Sequence, residues 1–188
     1  MLNLPNFLTL IRILTIPFFL VYLAYHRYWE AFIIFVVGGV TDFLDGMMAR
    51  LMNQQTALGA YLDPVADKLL VFSSYVMLGL IDAIPTWLAV VVISRDILLL
   101  SGYGIIYLLV EEPLQIKPSM IGKSSTMLQL LTLGVALALL HDPQMLDGWI
   151  FDWLVVATAG ATVVSGLQYL YRGLIWLQSQ APKITRLG

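Results

Sequence analysis

Between Asp42 and Asp67 an otherwise strongly apolar chain carries four aspartates, Asp42, Asp45, Asp63 and Asp67. A carboxylate in hydrocarbon costs about 3 kcal/mol on insertion scales and more on others, so four together need cations or water to offset them. Their spacing predicts cations. Asp42 and Asp45 are three residues apart and Asp63 and Asp67 four, which puts each pair on one face of a helix. Gly46 and Ala49 share the side of Asp42, and Gly59, Asp63 and Asp67 form an i, i+4, i+8 row. With Asn53-Gln54-Gln55-Thr56 as a short polar turn, the two rows can face one pocket. The small residues Gly46, Ala49, Gly59 and Ala60 leave room there for a bulky ligand.

Carboxylates without His or Cys are hard oxygen ligands, which fit Mg²⁺, Mn²⁺ or Ca²⁺ and not zinc or copper. Four of them suffice for two divalent ions about 4 Å apart, which stabilise the entering and the leaving oxygen of a phosphoryl displacement. Arg50 can fork onto a phosphate at the same mouth, and Arg95, Lys117 and Lys123 are further phosphate-binding candidates. Asp67, the most deeply offset carboxylate of its row, can spare an oxygen for proton abstraction.

The elements that must position these residues are membrane helices. The chain has 188 residues, 60% hydrophobic and 12% charged, with a mean hydropathy of +0.85. Soluble domains are about 45–50% apolar and about 25% charged, so the expected class is an all-α integral membrane protein. Its length suits one domain, 1–188. No cysteine is present, which excludes disulfides and thiolate metal sites. A span needs about 20 mostly apolar residues, and that rule predicts six: 6–25, 31–51, 58–81, 85–109, 121–140 and 149–172. Long continuous apolar runs exclude a β-barrel. The first span, with Arg12 inside it and no clear small-residue cleavage site, is expected to be a retained helix and not a signal peptide. Pro17 and Pro64 fall inside spans and are expected to kink them. Gln178–Gly188 is the expected frayed tail.

With a cytoplasmic N-terminus, Arg50, Lys68, Lys117, Lys123, Arg172, Lys183 and Arg186 collect on the cytoplasmic face. Glu30, Asp82, Asp142, Asp147 and Asp152 collect opposite, with only Arg27 among the basic residues. That asymmetry fits the positive-inside rule and opens the aspartate cluster to the cytoplasmic leaflet, with both termini cytoplasmic. Trp29, Trp149 and Trp153 are expected in the outer aromatic belt, and Tyr169, Tyr171 and Trp176 in the inner one. His26 and His141 sit at loop edges without an assigned role. A compact chain without a transit peptide suits a bacterial inner membrane.

The segment resembles the signature D-x2-D-G-x2-A-R-x8-G-x3-D-x3-D of the CDP-alcohol phosphotransferases without a departure. Asp42, Asp45, Gly46, Ala49, Arg50, Gly59, Asp63 and Asp67 hold its eight fixed positions. The likeness extends to PNFLTLIR at 5–12, LDPVADK at 62–68 and ISRD at 93–96. The resemblance implies a six-transmembrane-helix bundle, usually a homodimer, with the site at its cytoplasmic end. It further implies transfer of a phosphoalcohol group from a CDP-alcohol to a hydroxyl acceptor with release of CMP. Asp42, Asp45, Asp63 and Asp67 would bind two divalent cations, Mg²⁺ or Mn²⁺, and Asp67 would deprotonate the acceptor. Gly46, Ala49, Arg50 and Gly59 would border the CDP part. Membrane embedding favours CDP-diacylglycerol as donor, and nothing calls for a nucleic acid.

Two branches compete for the acceptor. The glycerol-phosphate branch must grip a small dianion and is expected to carry Arg-Glu in span four, another Arg eight residues on, and Gly-Lys-x-Lys-Thr opening span five. Here Arg95 is followed by Asp96, Tyr103 stands eight residues after Arg95, and span five opens Gly122-Lys123-Ser124-Ser125-Thr126. Both departures remove positive charge. Together with Ile93-Ser94-Arg95-Asp96 and Lys117-Pro118-Ser119, they place the cardiolipin-synthase branch, with phosphatidylglycerol as acceptor, ahead of glycerol 3-phosphate. Arg12 either lines the site or snorkels to the interface. Arg95-Asp96 either serves the acceptor or is a structural ion pair. A carboxylate-lined cation transporter, or an inactive packing relative, is the alternative of a different class; broken helices and inverted halves would mark a transporter.

Overall fold

The computed structural model describes the backbone of residues 4–52, 57–110 and 119–184, and the side chains of 10–41, 68–102, 104, 119–176 and 178. The described backbone is helical, in six helices: α1 Leu4–Ala24, α2 Tyr28–Met52, α3 Ala57–Leu80, α4 Thr86–Val110, α5 Met120–His141 and α6 Gly148–Ile184. Each begins and ends close to an expected span except the last. α6 runs for 37 residues, beyond the span expected to close at 172 and through most of the tail expected to fray. Its apolar run ends near Trp176, but Leu177-Gln178-Ser179-Gln180-Ala181 contains good helix formers, so the backbone continues where the lipid signal stops. Pro17 and Pro64 lie within α1 and α3, which run on through them. The expected turn Asn53–Thr56 and the break Glu111–Pro118, with Lys117, lie outside the described residues. Among the described residues, α5 and Gly148–Trp176 of α6 are long and apolar enough to cross a membrane.

The chain divides into two compact units, Met1–Pro85 with Leu133–Phe151, and Thr86–Thr132 with Asp152–Gly188. In the first, α1 packs against both α2 and α3. Its buried stripe, Ile16, Phe19 and Leu23, has the spacing of one helix face, and Arg12 continues that stripe towards the N-terminus. Phe19 meets Phe35 of α2 at a centroid distance of 6.3 Å. Leu70, Val71, Ser74, Tyr75 and Leu78 of α3, and Leu133, Ala136 and Leu137 of α5, complete this core. At the unit's other rim, Trp29 packs its ring against His141 at 4.8 Å and stacks on Phe32 at 5.7 Å, while Arg27 pairs with Glu30. Trp29, Trp149 and Trp153 are all exposed.

α1 and α3 end on the same backbone device. His26 and Asp82 are left-handed, with φ of 57° and 56°. Arg27 N–H donates to Tyr22 O at 2.8 Å and Ala83 N–H to Leu78 O at 2.9 Å, the long bond of a Schellman cap. These caps close both helices on residues other than the usual glycine.

In the second unit α5 and α6 are joined by a buried polar seam. Ser125 and Thr162 hydroxyls meet at 3.3 Å, Gln129 Nε2 donates to Thr162 Oγ1 at 3.0 Å, and the Thr132 and Thr158 hydroxyls meet at 2.7 Å. Ser125, Thr132, Thr158 and Thr162 are fully buried. Small hydroxyl residues at this spacing let two helices approach closely and hydrogen-bond in a medium that offers no water.

Candidate active site

The four aspartates fall on two consecutive helices of one unit. Asp42 and Asp45 lie towards the C-terminal end of α2, and Asp63 and Asp67 in the first half of α3. Their side chains, and those of Gly46, Ala49, Arg50 and Gly59, lie outside the described residues. The backbone register can still be followed. α2 folds back along α1 after a turn of three residues, and only four residues separate α2 from α3, so neighbouring helices run antiparallel. Arg12 lies seven residues before Phe19, and Asp42 seven after its partner Phe35. A Cβ on Gly38 would touch Leu70 Cδ2 at 3.9 Å, with Asp42 four residues beyond Gly38 and Asp67 three before Leu70. At about 1.5 Å per residue, these offsets carry α1, α2 and α3 towards the same end of the unit by about 5–10 Å. The backbones of Arg12, Asp42 and Asp67 therefore come to similar levels. Asp45 and Asp63 are each seven residues from the Gly38–Leu70 contact and fall one turn further along.

Arg12 is 4% exposed, which removes the snorkelling alternative and makes it a core residue of α1. Thr15 Oγ1 donates to its carbonyl at 2.8 Å. As a donor set, the four aspartates offer only carboxylate oxygen, spaced i, i+3 and i, i+4 on helices that the structure shows unbroken at those positions, and this fits hard divalent cations. Among the described side chains no group of three or more His, Cys, Asp or Glu is placed to hold a metal.

The remaining phosphate-binding candidates belong to the second unit. Arg95 of α4 is 7% exposed. Its Nη1 donates to Asp96 Oδ1 at 2.7 Å and its Nη2 to Ser165 Oγ of α6 at 2.8 Å. Its Cζ sits 5.9 Å from the centre of the Tyr169 ring. The stem lies against α6, where a Cβ on Gly166 would meet Arg95 Cγ at 3.4 Å. A guanidinium has five N–H donors, and the buried Nε of Arg95 has no hydrogen-bond partner. Arg95 is thus a paired arginine that retains donor capacity. Lys123 lies in the first turns of α5 and is exposed, its amide donating to Ser119 O at 3.1 Å.

Tyr169 departs from its expected place. Instead of standing in an inner lipid belt, its hydroxyl accepts from Ser119 N–H at 3.2 Å and its ring lies beneath Arg95. Hydropathy separates lipid from water but does not separate lipid from protein, so an aromatic near a span's end is mistaken for a belt residue. The sequence did hold a signal, because Thr158, Thr162, Ser165 and Tyr169 recur at helical spacing along one face of an otherwise apolar helix. Ser125 stands where the glycerol-phosphate branch is expected to carry its second lysine, and it is fully buried in the α5–α6 seam. Tyr103 lies outside the described side chains.

A protein whose described elements are all helices, with paired aspartates on adjoining helices and a buried arginine, has the makings of a membrane phosphotransferase. The CDP-alcohol phosphatidyltransferase family model matches residues 2–164, through both units. The chain belongs to that family of membrane-bound, generally metal-dependent enzymes. A CDP-diacylglycerol–glycerol-3-phosphate 3-phosphatidyltransferase of Bacillus subtilis (strain 168) is 33% identical over 192 residues, covering 90% of this chain and 94% of its own. An enzyme of the same name from Shigella flexneri serotype 5b is 36% identical over 176 residues, covering 89% and 93%. A protein of Drosophila melanogaster named a probable cardiolipin synthase (CMP-forming) is 31% identical over 183 residues, covering 87% of this chain and 56% of its own.

Proposed function

We propose that the protein transfers the phosphatidyl group of CDP-diacylglycerol to a hydroxyl of glycerol 3-phosphate, releasing CMP. The observation that carries this is its likeness, over nearly the full length of both chains, to relatives named as glycerol-3-phosphate phosphatidyltransferases. Those relatives favour the acceptor that the lost basic residues put second. In this reading Asp42, Asp45, Asp63 and Asp67 hold two divalent cations, Mg²⁺ or Mn²⁺, which when bound neutralise the pyrophosphate and make CMP a better leaving group. Asp67 also takes the proton of the acceptor hydroxyl. The freed oxygen attacks the phosphorus that bears diacylglycerol, and the P–O bond to CMP breaks with its electron pair leaving on CMP. Gly46, Ala49, Arg50 and Gly59 border the cytidine diphosphate.

Arg12, Arg95, Lys117 and Lys123 are the candidates for phosphate charge, and the unengaged Nε of Arg95 supports its part in holding the acceptor phosphate. The family match across both units supports one domain over 1–188. The reading places the enzyme as a homodimer in a bacterial inner membrane, with the site and both termini on the cytoplasmic side.

Phosphatidylglycerol is the second acceptor to test. It is favoured by Ser125, buried and uncharged where a second lysine would add to the grip on a dianion, and by the Drosophila relative's name. The deciding experiment gives purified protein CDP-diacylglycerol and Mg²⁺ or Mn²⁺, then compares CMP release with each acceptor. Release with glycerol 3-phosphate and not with phosphatidylglycerol is expected. The opposite result would make this a cardiolipin synthase, and release with neither would overturn both readings.

A further inference from the structure

Tyr169 touches Arg95, which the acceptor reading uses, and the cap of the helix that carries Lys123, and no part of that reading explains it. α5 begins with a helix cap: Gly122 N–H donates to Ser119 Oγ at 2.9 Å, so Ser119 is the N-cap residue and Gly122 the third residue of the helix. In a complete capping box the side chain of that third residue reaches back to the N-cap's own N–H. Glycine has none to offer. The hydroxyl of Tyr169, fifty residues away on α6, accepts the Ser119 N–H instead at 3.2 Å. The exchange is sterically matched. A Cβ on Gly122 would lie 2.8 Å from the Tyr169 hydroxyl and 3.0 Å from Cε2, closer than packed carbon atoms stand. The other end of the contact is the Tyr169 ring, 5.9 Å from the guanidinium carbon of Arg95. One turn back on α6, Ser165 accepts from Arg95 Nη2.

We propose that Tyr169 is a positioning residue for the acceptor phosphate. It fixes the Arg95 guanidinium and the first turns of α5, which carry Lys123, at a set separation by binding one with its ring and the other with its hydroxyl. The proposal rests on the acceptor role of Arg95 stated above. An anion held by two cations gains from their being fixed before it arrives, because little side-chain freedom is then lost on binding. Ring and hydroxyl act separately. The ring supplies the cation–π contact, and the hydroxyl ties down the helix cap.

The test uses the purified full-length protein with CDP-diacylglycerol and Mg²⁺, measuring CMP release while glycerol 3-phosphate and CDP-diacylglycerol are titrated in turn. Tyr169→Phe keeps the ring and removes the hydroxyl, and its acceptor KM is expected to rise about five-fold, the scale of one net hydrogen bond. Tyr169→Leu removes both contacts and is expected to raise it about thirty-fold. Gly122→Ala crowds the hydroxyl and the ring edge of Tyr169 together without altering that residue, and is expected to raise the acceptor KM to between the Tyr169→Phe and Tyr169→Leu values. Donor KM should stay within two-fold in Tyr169→Phe and Gly122→Ala. A purely structural role would lower thermal stability and kcat, or move both KM values equally, and either pattern overturns the proposal.

Arg95→Gln separates the two levels of the reading. An unchanged acceptor KM in that variant removes the acceptor role of Arg95 and this proposal with it. A raised KM in Arg95→Gln with unaltered values in Tyr169→Phe and Gly122→Ala removes the positioning role alone.

Discussion

The Arg95–Asp96 pair gives the sharpest energetic test of the second unit. Both residues are almost wholly buried, at 7% and 8% exposure, and joined at 2.7 Å. Replacing Asp96 by Ala leaves a guanidinium in a low-dielectric interior without its counter-charge. Removing one partner of such a pair costs about 3–5 kcal/mol. Ser165 still accepts from Nη2, and the Tyr169 ring still lies below the guanidinium, so the lower end, about 3 kcal/mol, is the working value. This shifts the unfolding equilibrium by about two orders of magnitude. The double variant Arg95→Met, Asp96→Leu removes both charges and should cost less than Asp96→Ala alone, because no guanidinium is then left buried without its counter-charge. Unfolding in mixed micelles of rising SDS content, followed by tryptophan fluorescence, measures both. A cost below about 1 kcal/mol for Asp96→Ala, the size of an exposed pair, would refute the claim that this charge is desolvated.

Four further outcomes are expected. Asp67→Asn should abolish CMP release while the protein stays folded, and Asp63→Ala should raise the Mn²⁺ concentration needed for turnover; near-normal rates in the first or an unmoved metal dependence in the second would remove the assigned roles. Phe19→Ala, at a fully buried position against Phe35, should destabilise the first unit by about 3 kcal/mol through the cavity it leaves, and an unchanged melting temperature would contradict that packing. Asp82→Gly should raise stability by about 0.5–1 kcal/mol, because glycine adopts the left-handed cap at φ 56° without strain, and a fall in melting temperature would count against strain there.

Hydropathy located the helices because each is a long, mostly apolar run bounded by polar or proline-bearing breaks. Five of the six helices keep close to the expected bounds, and α6 departs where it leaves the apolar regime. Which face of each helix meets protein was much less legible. A membrane helix is apolar all round, so the 3.6-residue period that marks the core of a soluble helix is faint. Arg12 shows the gain from structure: the sequence leaves it between interface and site, and the buried stripe of Ile16, Phe19 and Leu23 decides for the interior. Tyr169 shows the failure, since its type and position near a span's end match a belt residue while its partners are Ser119 and Arg95. The aspartates were legible because charge in an apolar chain stands out, and because their spacing is helical.

The hydroxyls of the α5–α6 seam bear on how the chain enters its membrane. Thr132 Oγ1 donates to Leu128 O of its own helix at 2.8 Å as well as meeting Thr158. Thr41, Ser73, Ser74, Ser101 and Thr126 likewise bond carbonyls one turn back. Such residues can cross lipid on an isolated helix with their protons already satisfied, and exchange partners later. Gln129 is different. A primary amide has more donors and acceptors than its own helix can meet, and its Nε2 reaches Ser125 of the same helix only at 3.5 Å but Thr162 of α6 at 3.0 Å. During synthesis α5 therefore emerges carrying a polar group whose better partner has not yet been made. Its bond to Thr162 forms only when α6 lies beside α5, so the seam is completed as the last two helices pair.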